Sequence, residues 1–315
     1  MDNIENVVVV GAGLVGMSWA IVFARAGKSV VIHDVEHARL ENARGKIHDD
    51  LVALAEIGLL SEPIDAVAAR IDYQPSLADS LAGGEYVQEC IVETLAAKQA
   101  IFSELDALAA DTAILASSTS GFTTSSFATK VPGRHRCLVV HPVNPPHVVP
   151  FVEISGADFT AGEVVERTRL LMQEVGQEPI VLRREIHGFV LNRLQWSLLG
   201  EAYRLVEQGV ATVDEIDCAI RHGLGRRWAF MGPFEVGDLN APDGLQDYLQ
   251  RFGETIERIN ETESLTLKRD SNAAMHAARR DLLDDDEREA RMQWRDRRLM
   301  ALAKHLQEES DISNA

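Results

Sequence analysis

Along the first half of the chain, short β-branched runs alternate with longer stretches whose apolar positions recur every three or four residues. NVVVV (6–10) leads into the glycine-rich GAGLVG, then into the apolar-periodic MSWAIVFARAG, and then into SVVIHD (29–34). A helical pattern over 36–58 follows, then a short strand near 71, the strand-like YVQECIVE (86–93), a helix over 96–109, AILASSTS (113–120) and RCLVVHP (136–142). Strands separated by helices in this way predict a mostly parallel, doubly wound sheet whose ligands collect at the carboxyl ends of the strands. From about residue 187 the strand signals stop. HGFVLNRLQWSLLGEAYRLVEQG places Val190, Leu191, Leu194, Leu198, Leu199, Leu205 and Val206 at helical spacing, a wide face for a core or a subunit interface. A second helix is expected over 212–222, and GLGRRWAFMGPFE after it reads as turn-rich. The closing stretch, ARRDLLDDDEREARMQWRDRRLMALAKHLQEE, is charged with a few apolar positions and predicts an exposed or interface helix with a frayed end. The expected fold is α/β, a Rossmann-like domain over 1–185 followed by an all-α domain over 186–315 that includes the charged C-terminal helix.

Composition narrows the partners. The 315 residues are enough for two ordinary domains, and 46% hydrophobic content excludes disorder of the whole. With 49 acidic against 31 basic residues the formal charge is −18, which repels phosphate backbones and anionic membranes, so neither nucleic acid nor membrane is expected as a partner. Cys90, Cys137 and Cys218 lie far apart with no metal-ligand spacing, which predicts no disulfide and no structural zinc. MDNIENVVVV has no basic leader before its first strand, and a cytoplasmic protein is expected.

The strand ends carry the candidate chemistry. Gly11 would make the tight turn after the first strand, Gly13 would let the backbone approach a pyrophosphate, and Gly16 would admit close packing of the helix, whose N-terminus attracts the phosphates. Asp34, ending the second strand, suits two ribose hydroxyls and repels a 2′-phosphate, so NAD is expected rather than NADP. His33 and His37 read as solvent-facing residues rather than a metal pair. Glu93 and Ser120 complete the rim, although each is also a plausible helix-start charge or cap taken singly. In HPVNPPHVVPFVEI (141–154) Asn144 is framed by three prolines, Pro142, Pro145 and Pro146, which stiffen a loop with His141 on one side and Glu153 on the other. It is either a rigid corner or a loop that sets a base against its partner.

These residues resemble the L-3-hydroxyacyl-CoA dehydrogenase superfamily, and within it the lambda-crystallin branch of L-gulonate 3-dehydrogenase. The likeness runs from about residue 6 to about 255 through VVGAGLVGMSWA, QECIVETLAAKQAIF, ASSTS, HPVNPP with PFVE, GFVLNRLQ, EAYRLVEQG and GLGRRWAFMGP, in that order. The resemblance implies an NAD-binding first domain, a helical second domain that forms a homodimer, and oxidation of a 3-hydroxyl. It puts the catalytic pair on His141 and Glu153, the active-site serine on Ser120 and the asparagine on Asn192. It puts cofactor contacts on Leu14, Val15, Asp34, Glu93 and Lys98, with Asn144 near the nicotinamide.

Hydride removal from a secondary alcohol requires a base for the hydroxyl proton, which His141 can be, and Glu153 would favour its imidazolium. Ser120 and Asn192 would hold the oxygen that becomes the carbonyl. Arg226 and Arg227 form either a solvated pair or, through Arg227, the planar cation that a small carboxylate substrate needs. Arg39, Arg44 and Lys46 are followed by the acidic and apolar DDLVALAEIGLL, a poor surface for the phosphates of a CoA thioester. A small free acid such as L-gulonate is the expected substrate. L-carnitine, for which Trp196, Trp228 and Phe230 could supply rings, and a 3-hydroxybutyryl-CoA are the alternatives. Outside enzymes the alternative is a crystallin-like structural NAD-binding protein, and the complete set Ser120, His141, Glu153 and Asn192 argues against it.

Overall fold

Four consecutive valines can be buried only where a strand is covered on both faces, and that is where the structure puts them. This computed structural model describes residues 3–260, 277, 278 and 280–313. Strand β1 (Asn6–Val10) is central in an eight-stranded sheet with β2 (Ser29–His33), β3 (Ile71–Gln74), β4 (Tyr86–Glu89), β5 (Ile114–Ser117), β6 (Cys137–Pro142), β7 (Phe151–Gly156) and β8 (Glu178–Val181). The order is β3-β2-β1-β4-β5-β6-β7-β8. Pairing is parallel from β3 across to β6, antiparallel between β6 and β7, and parallel between β7 and β8. The direction of winding reverses between β1 and β4, which opens the crevice where such sheets bind nucleotides. Alternation along β1 feeds two cores: Val7 and Val9 pack on one face with Trp19 and Phe23, Val8 and Val10 on the other with Phe102 and Phe127.

Helices α1 (Leu14–Arg25) and α2 (His37–Ile57) cover the first face, and α5 (Leu95–Leu108) and α6 (Thr124–Ala128) the second, after the short α3 (Ile64–Ala68) and α4 (Leu77–Leu81). Helix α7 (Gly162–Glu174) links β7 to β8. The run 86–93 that reads as one strand pairs only to Glu89, leaving Cys90–Glu93 as a loop over the crevice.

Two compact units divide the chain, Met1–Arg193 with Ala290–Ala315, and Leu194–Glu289. The cut falls past the expected 185 because Val190 and Leu191 donate to Glu153 and Asn192 donates to Ser120, which ties them to the sheet. In the second unit, α8 (Leu191–Glu207, begun in the first unit) is followed by α9 (Val213–Ala219), a π-helical turn (Ile220–Leu224), α10 (Gly225–Trp228), α11 (Pro233–Leu239) and α12 (Gly244–Asn260). GLGRRW, expected as turns, is therefore helical.

The larger correction concerns the closing helix, Arg288–Ser313, which belongs to the first unit instead of the helical domain. Its few apolar residues explain this: Met300 is 2% exposed, and Leu299 packs against the core that α2 covers. A side chain at Gly58, the left-handed C-cap of α2, would come within 3.3 Å of Lys304 Nζ, so a cation stands at the negative end of that helix. Asp50 of α2 is strained electrostatically: burial first, then Asp296 of the closing helix and Asp49, push its carboxyl up to about 6 against the pull of Lys46. Above pH 6 the folded chain carries this penalty, whereas below the ordinary carboxylate value of 3.8 the group is neutral in folded and unfolded chains alike. Asp50→Asn should raise the thermal midpoint at pH 8 by the equivalent of about 1 kcal/mol, discounted for partial exposure. The gain should vanish near pH 4, as melts followed by circular dichroism will show.

Candidate active site

Geometry at the first turn follows from its glycines. Gly11 has φ +110°, and a Cβ there would lie 2.7 Å from the Cys90 carbonyl oxygen, while one at Gly16 would lie 1.9 Å from the Gly11 oxygen. No larger residue fits either position. Gly13 faces open space, with nothing within 4 Å of where its Cβ would be. It also caps α1, which has no side-chain cap bond and no acid in its first turn, so the exposed Leu14 and half-buried Val15 begin a helix whose dipole is uncompensated. These features fit a pyrophosphate. Asp34 Oδ2 accepts from the Ala12 amide at 3.1 Å and Oδ1 from the Glu36 amide at 3.0 Å, which holds the carboxylate at the β2 end of the crevice with a lone pair remaining on each oxygen. Asp34→Ala should weaken NAD at least tenfold and NADP less, measured by quenching of protein fluorescence. Equal losses for both would remove the ribose assignment. His33 was expected to face solvent, yet it is 4% exposed and its Nδ1 meets the Gln74 carbonyl at 2.9 Å; His37 is exposed.

Across the crevice, Glu93 organises the turn after β5. One of its oxygens accepts from the Thr119 hydroxyl at 2.6 Å and from the Ser120 and Gly121 amides at 2.9 and 3.1 Å. Burial raises the Glu93 pKa, but the Thr119 bond, Lys98 and the Gly121 amide outweigh it and the carboxyl falls below its ordinary value. Lys98 Nζ reaches Glu93 at 3.1 Å and both oxygens of Glu89 at 2.9 and 3.1 Å. With 1% of its surface exposed, Lys98 is a buried link between two carboxylates. Glu89, fully buried, also accepts from the Ser117 hydroxyl and the Ile91 amide. Nothing in the sequence singles out Glu89 as a strand end, because YVQECIVE reads as one strand to Glu93; a charge inside an apolar parallel strand is the signal that marks it.

His141 and Glu153 stand directly opposite each other in the β6–β7 ladder. His141 Nδ1 meets Glu153 Oε2 at 2.8 Å, and Glu153 Oε1 accepts from the Val190 and Leu191 amides at 2.7 and 2.9 Å. One fully buried carboxylate thus orients the imidazole and caps α8. With Nδ1–H donated to the carboxylate, Nε2 keeps its lone pair and can accept a proton. Phe189 packs over His141 with ring centroids 5.2 Å apart, and reaches that position with φ +47°. A left-handed phenylalanine is a strained conformation that packing has to enforce. Nothing local in HGFV announces it.

Asn192 Nδ2 donates to the Ser120 carbonyl at 3.1 Å, which joins the start of α8 to the turn that Glu93 holds. Ser120 and Asn144 are exposed, and Asn192 is buried. Arg227 is exposed on α10 in the second unit. Among the described residues no group of three His, Cys, Asp or Glu side chains is arranged to hold a metal, and no helix is long and apolar enough to cross a membrane.

A nucleotide crevice at the winding switch, with an imidazole–carboxylate pair at the neighbouring strand ends, defines a dinucleotide-dependent dehydrogenase. The family follows from comparison: the chain belongs to the 3-hydroxyacyl-CoA dehydrogenases, whose NAD-binding domain matches residues 6–186 and whose C-terminal domain matches residues 188–276. It is an NAD-dependent oxidoreductase acting on CH–OH. The chain is 38% identical over 305 residues to the lambda-crystallin homolog of Homo sapiens, spanning 95% of each. It is 34% identical over 258 residues to an L-carnitine dehydrogenase of Pseudomonas sp, spanning 82% of this chain and 79% of that one. The solved 5-formyl-3-hydroxy-2-methylpyridine 4-carboxylic acid 5-dehydrogenase shares the fold, with a TM-score of 0.83 at 24% identity over 96% of this chain and 99% of its own.

Proposed function

We propose that this protein oxidises the 3-hydroxyl of a small free hydroxy acid of the L-gulonate type to the 3-keto acid. The observation that carries the reading is the buried His141–Glu153 pair, an imidazole held in one orientation at a strand end of an NAD-binding sheet. Bound NAD supplies the hydride acceptor. His141 Nε2 takes the hydroxyl proton, and Glu153 stabilises the imidazolium that results. Ser120 and the side chain of Asn192 hold the substrate oxygen as it becomes a carbonyl. Glu93 keeps the Ser120 turn in place, and Lys98 acts through Glu93. Gly11, Gly13, Leu14, Val15 and Gly16 receive the pyrophosphate, Asp34 and Glu93 the riboses, and Asn144 lies toward the nicotinamide.

The free-acid substrate is supported by likeness to a lambda-crystallin homolog over 95% of both chains and by Arg227, a planar cation suited to a carboxylate. Leu194, Trp196 and Leu199 of α8 and Phe252, Ile256 and Ile259 of α12 are exposed, an apolar surface of the kind two copies of the chain would bury in a homodimer. A cytoplasmic location is consistent with three free cysteines. L-Carnitine is the second reading, favoured by its dehydrogenase among the relatives and by the exposed Trp228 and Phe230.

NADH absorbance over L-gulonate, L-carnitine, L-3-hydroxybutyrate and its CoA thioester decides between them. L-Gulonate should give the largest kcat/KM, and a preference for the thioester would overturn the free-acid reading. Arg227→Met should raise KM for the free acid about tenfold or more with little change in kcat. An unchanged KM would assign the carboxylate to another residue.

A further inference from the structure

Under the closing helix of the first unit lies a cavity of ≈ 700 Å³ that contains neither the dinucleotide turn nor the His141–Glu153 pair. Its apolar walls come from three separate parts of the chain: Leu59 and Leu60 beyond α2, Val148 of the β6–β7 loop, and Leu299 and Leu302 of the closing helix. This volume lies in the range that holds a small organic ligand.

The polar end of the cavity has an unusual balance. Arg25, the last residue of α1, lines it as a partly buried cation whose guanidinium donates to the His147 carbonyl at 3.0 Å. Among the described residues no Asp or Glu oxygen lies within the 4.0 Å of an ion pair with Arg25. Burial lowers the Arg25 pKa, so its charge is held against its preference. In a chain with 49 acids to 31 bases, a partly buried guanidinium with no acid beside it offers its remaining N–H donors to an anion. His147 beside it is 5% exposed, and its Nδ1 has no hydrogen-bond partner. Burial, then the charge of Arg25, hold this imidazole down at about 4 against the opposing pull of Asp296, so His147 adds polarity without charge near neutral pH. Glu178, the acid of the lining, is exposed.

We propose that this cavity binds a monocarboxylate with an apolar tail, the carboxylate on the Arg25 guanidinium beside His147 and the tail along Leu59, Val148 and Leu302. One cation matches one negative charge, and apolar side chains from three segments of the chain disfavour a phosphate dianion or a sugar acid. The site is separate from the catalytic one, and the proposal does not depend on which hydroxy acid is oxidised.

Equilibrium dialysis of the full-length protein against radiolabelled octanoate, with NADH saturating, tests it. One saturable site is expected, competed poorly by acetate, which lacks the tail, and by octan-1-ol, which lacks the charge. Arg25→Met should weaken octanoate at least tenfold. Leu302→Trp, at a lining position 37% exposed, should narrow the cavity where the tail lies and weaken octanoate at least fivefold while dehydrogenase turnover stays unchanged. Absence of saturable binding at millimolar octanoate, or equal binding by wild type and Leu302→Trp, would overturn the proposal. If Arg25→Met does not fold, the Leu302→Trp comparison decides alone.

Discussion

Replacing His141 with alanine should lower kcat by about a hundredfold or more while leaving the Kd for NADH within about twofold. The two readouts separate because the residues concerned sit on different elements. His141 is held on β6 by its ladder partner, whereas the dinucleotide turn is built by Gly11, Gly13 and Gly16 between β1 and α1, with Asp34 bonded to it. The imidazole is 6% exposed and packed on Phe189, so its removal leaves a small cavity near the base position and no orphaned charge other than Glu153. Fluorescence titration with NADH and initial rates on the preferred substrate measure both. Turnover near the wild-type level would take His141 out of the reaction, and a large loss of NADH affinity would make its role structural.

The second large effect should come from Glu153→Gln, which is nearly isosteric. Glu153 uses one oxygen for the Val190 and Leu191 amides and the other for His141. A glutamine has one oxygen to offer, and the two amide donors at the start of α8 would claim it. Its NH₂ then faces Nδ1, which must become an acceptor, so the ring proton moves to Nε2. That is the wrong tautomer for a base, and kcat should fall by about two to four orders of magnitude with the fold intact. Glu153→Ala should lose as much activity and in addition about 1–3 kcal/mol of stability, because it leaves two part-buried amides and the buried imidazole without an acceptor. Comparing the two variants by thermal melting and by kcat separates orientation of the base from capping of the helix. Equal stability of both variants would remove the capping role.

The proline-rich loop between these residues turns out to do less than its composition suggests. The antiparallel register already places His141 opposite Glu153, so the distance within the pair is a property of the ladder, to which Pro142 itself belongs, and not of Pro145 and Pro146. Instead the loop is tied down from outside, by Arg25 on the His147 carbonyl and Gln177 on the Pro146 carbonyl. A chain read residue by residue shows a stiff segment but not which contacts it serves. Lys98 is a similar case. Its place in the motif suggests a cofactor contact, and only the folded chain shows its ammonium buried between Glu89 and Glu93.

Local physics made much of this protein legible beforehand. Strand and helix periods, the glycine turn, the acid ending β2 and the loss of strand signals near residue 187 each depend on neighbours within a few positions, where side-chain alternation and backbone sterics act directly. Other features depend on groups brought together from distant segments. The reach of Glu153 to α8, the left-handed Phe189 against His141, the Glu89–Lys98–Glu93 chain and the return of the closing helix to the first unit all arise from such pairings. Periodicity marks Met300 as apolar, but only the gap beside α2 decides which core it fills. Sequence alone determined the cofactor platform and the residue types at its rim, because short-range sterics specify them; tertiary structure decided which of those residues touch, because burial and hydrogen-bond satisfaction are settled between elements far apart in the chain.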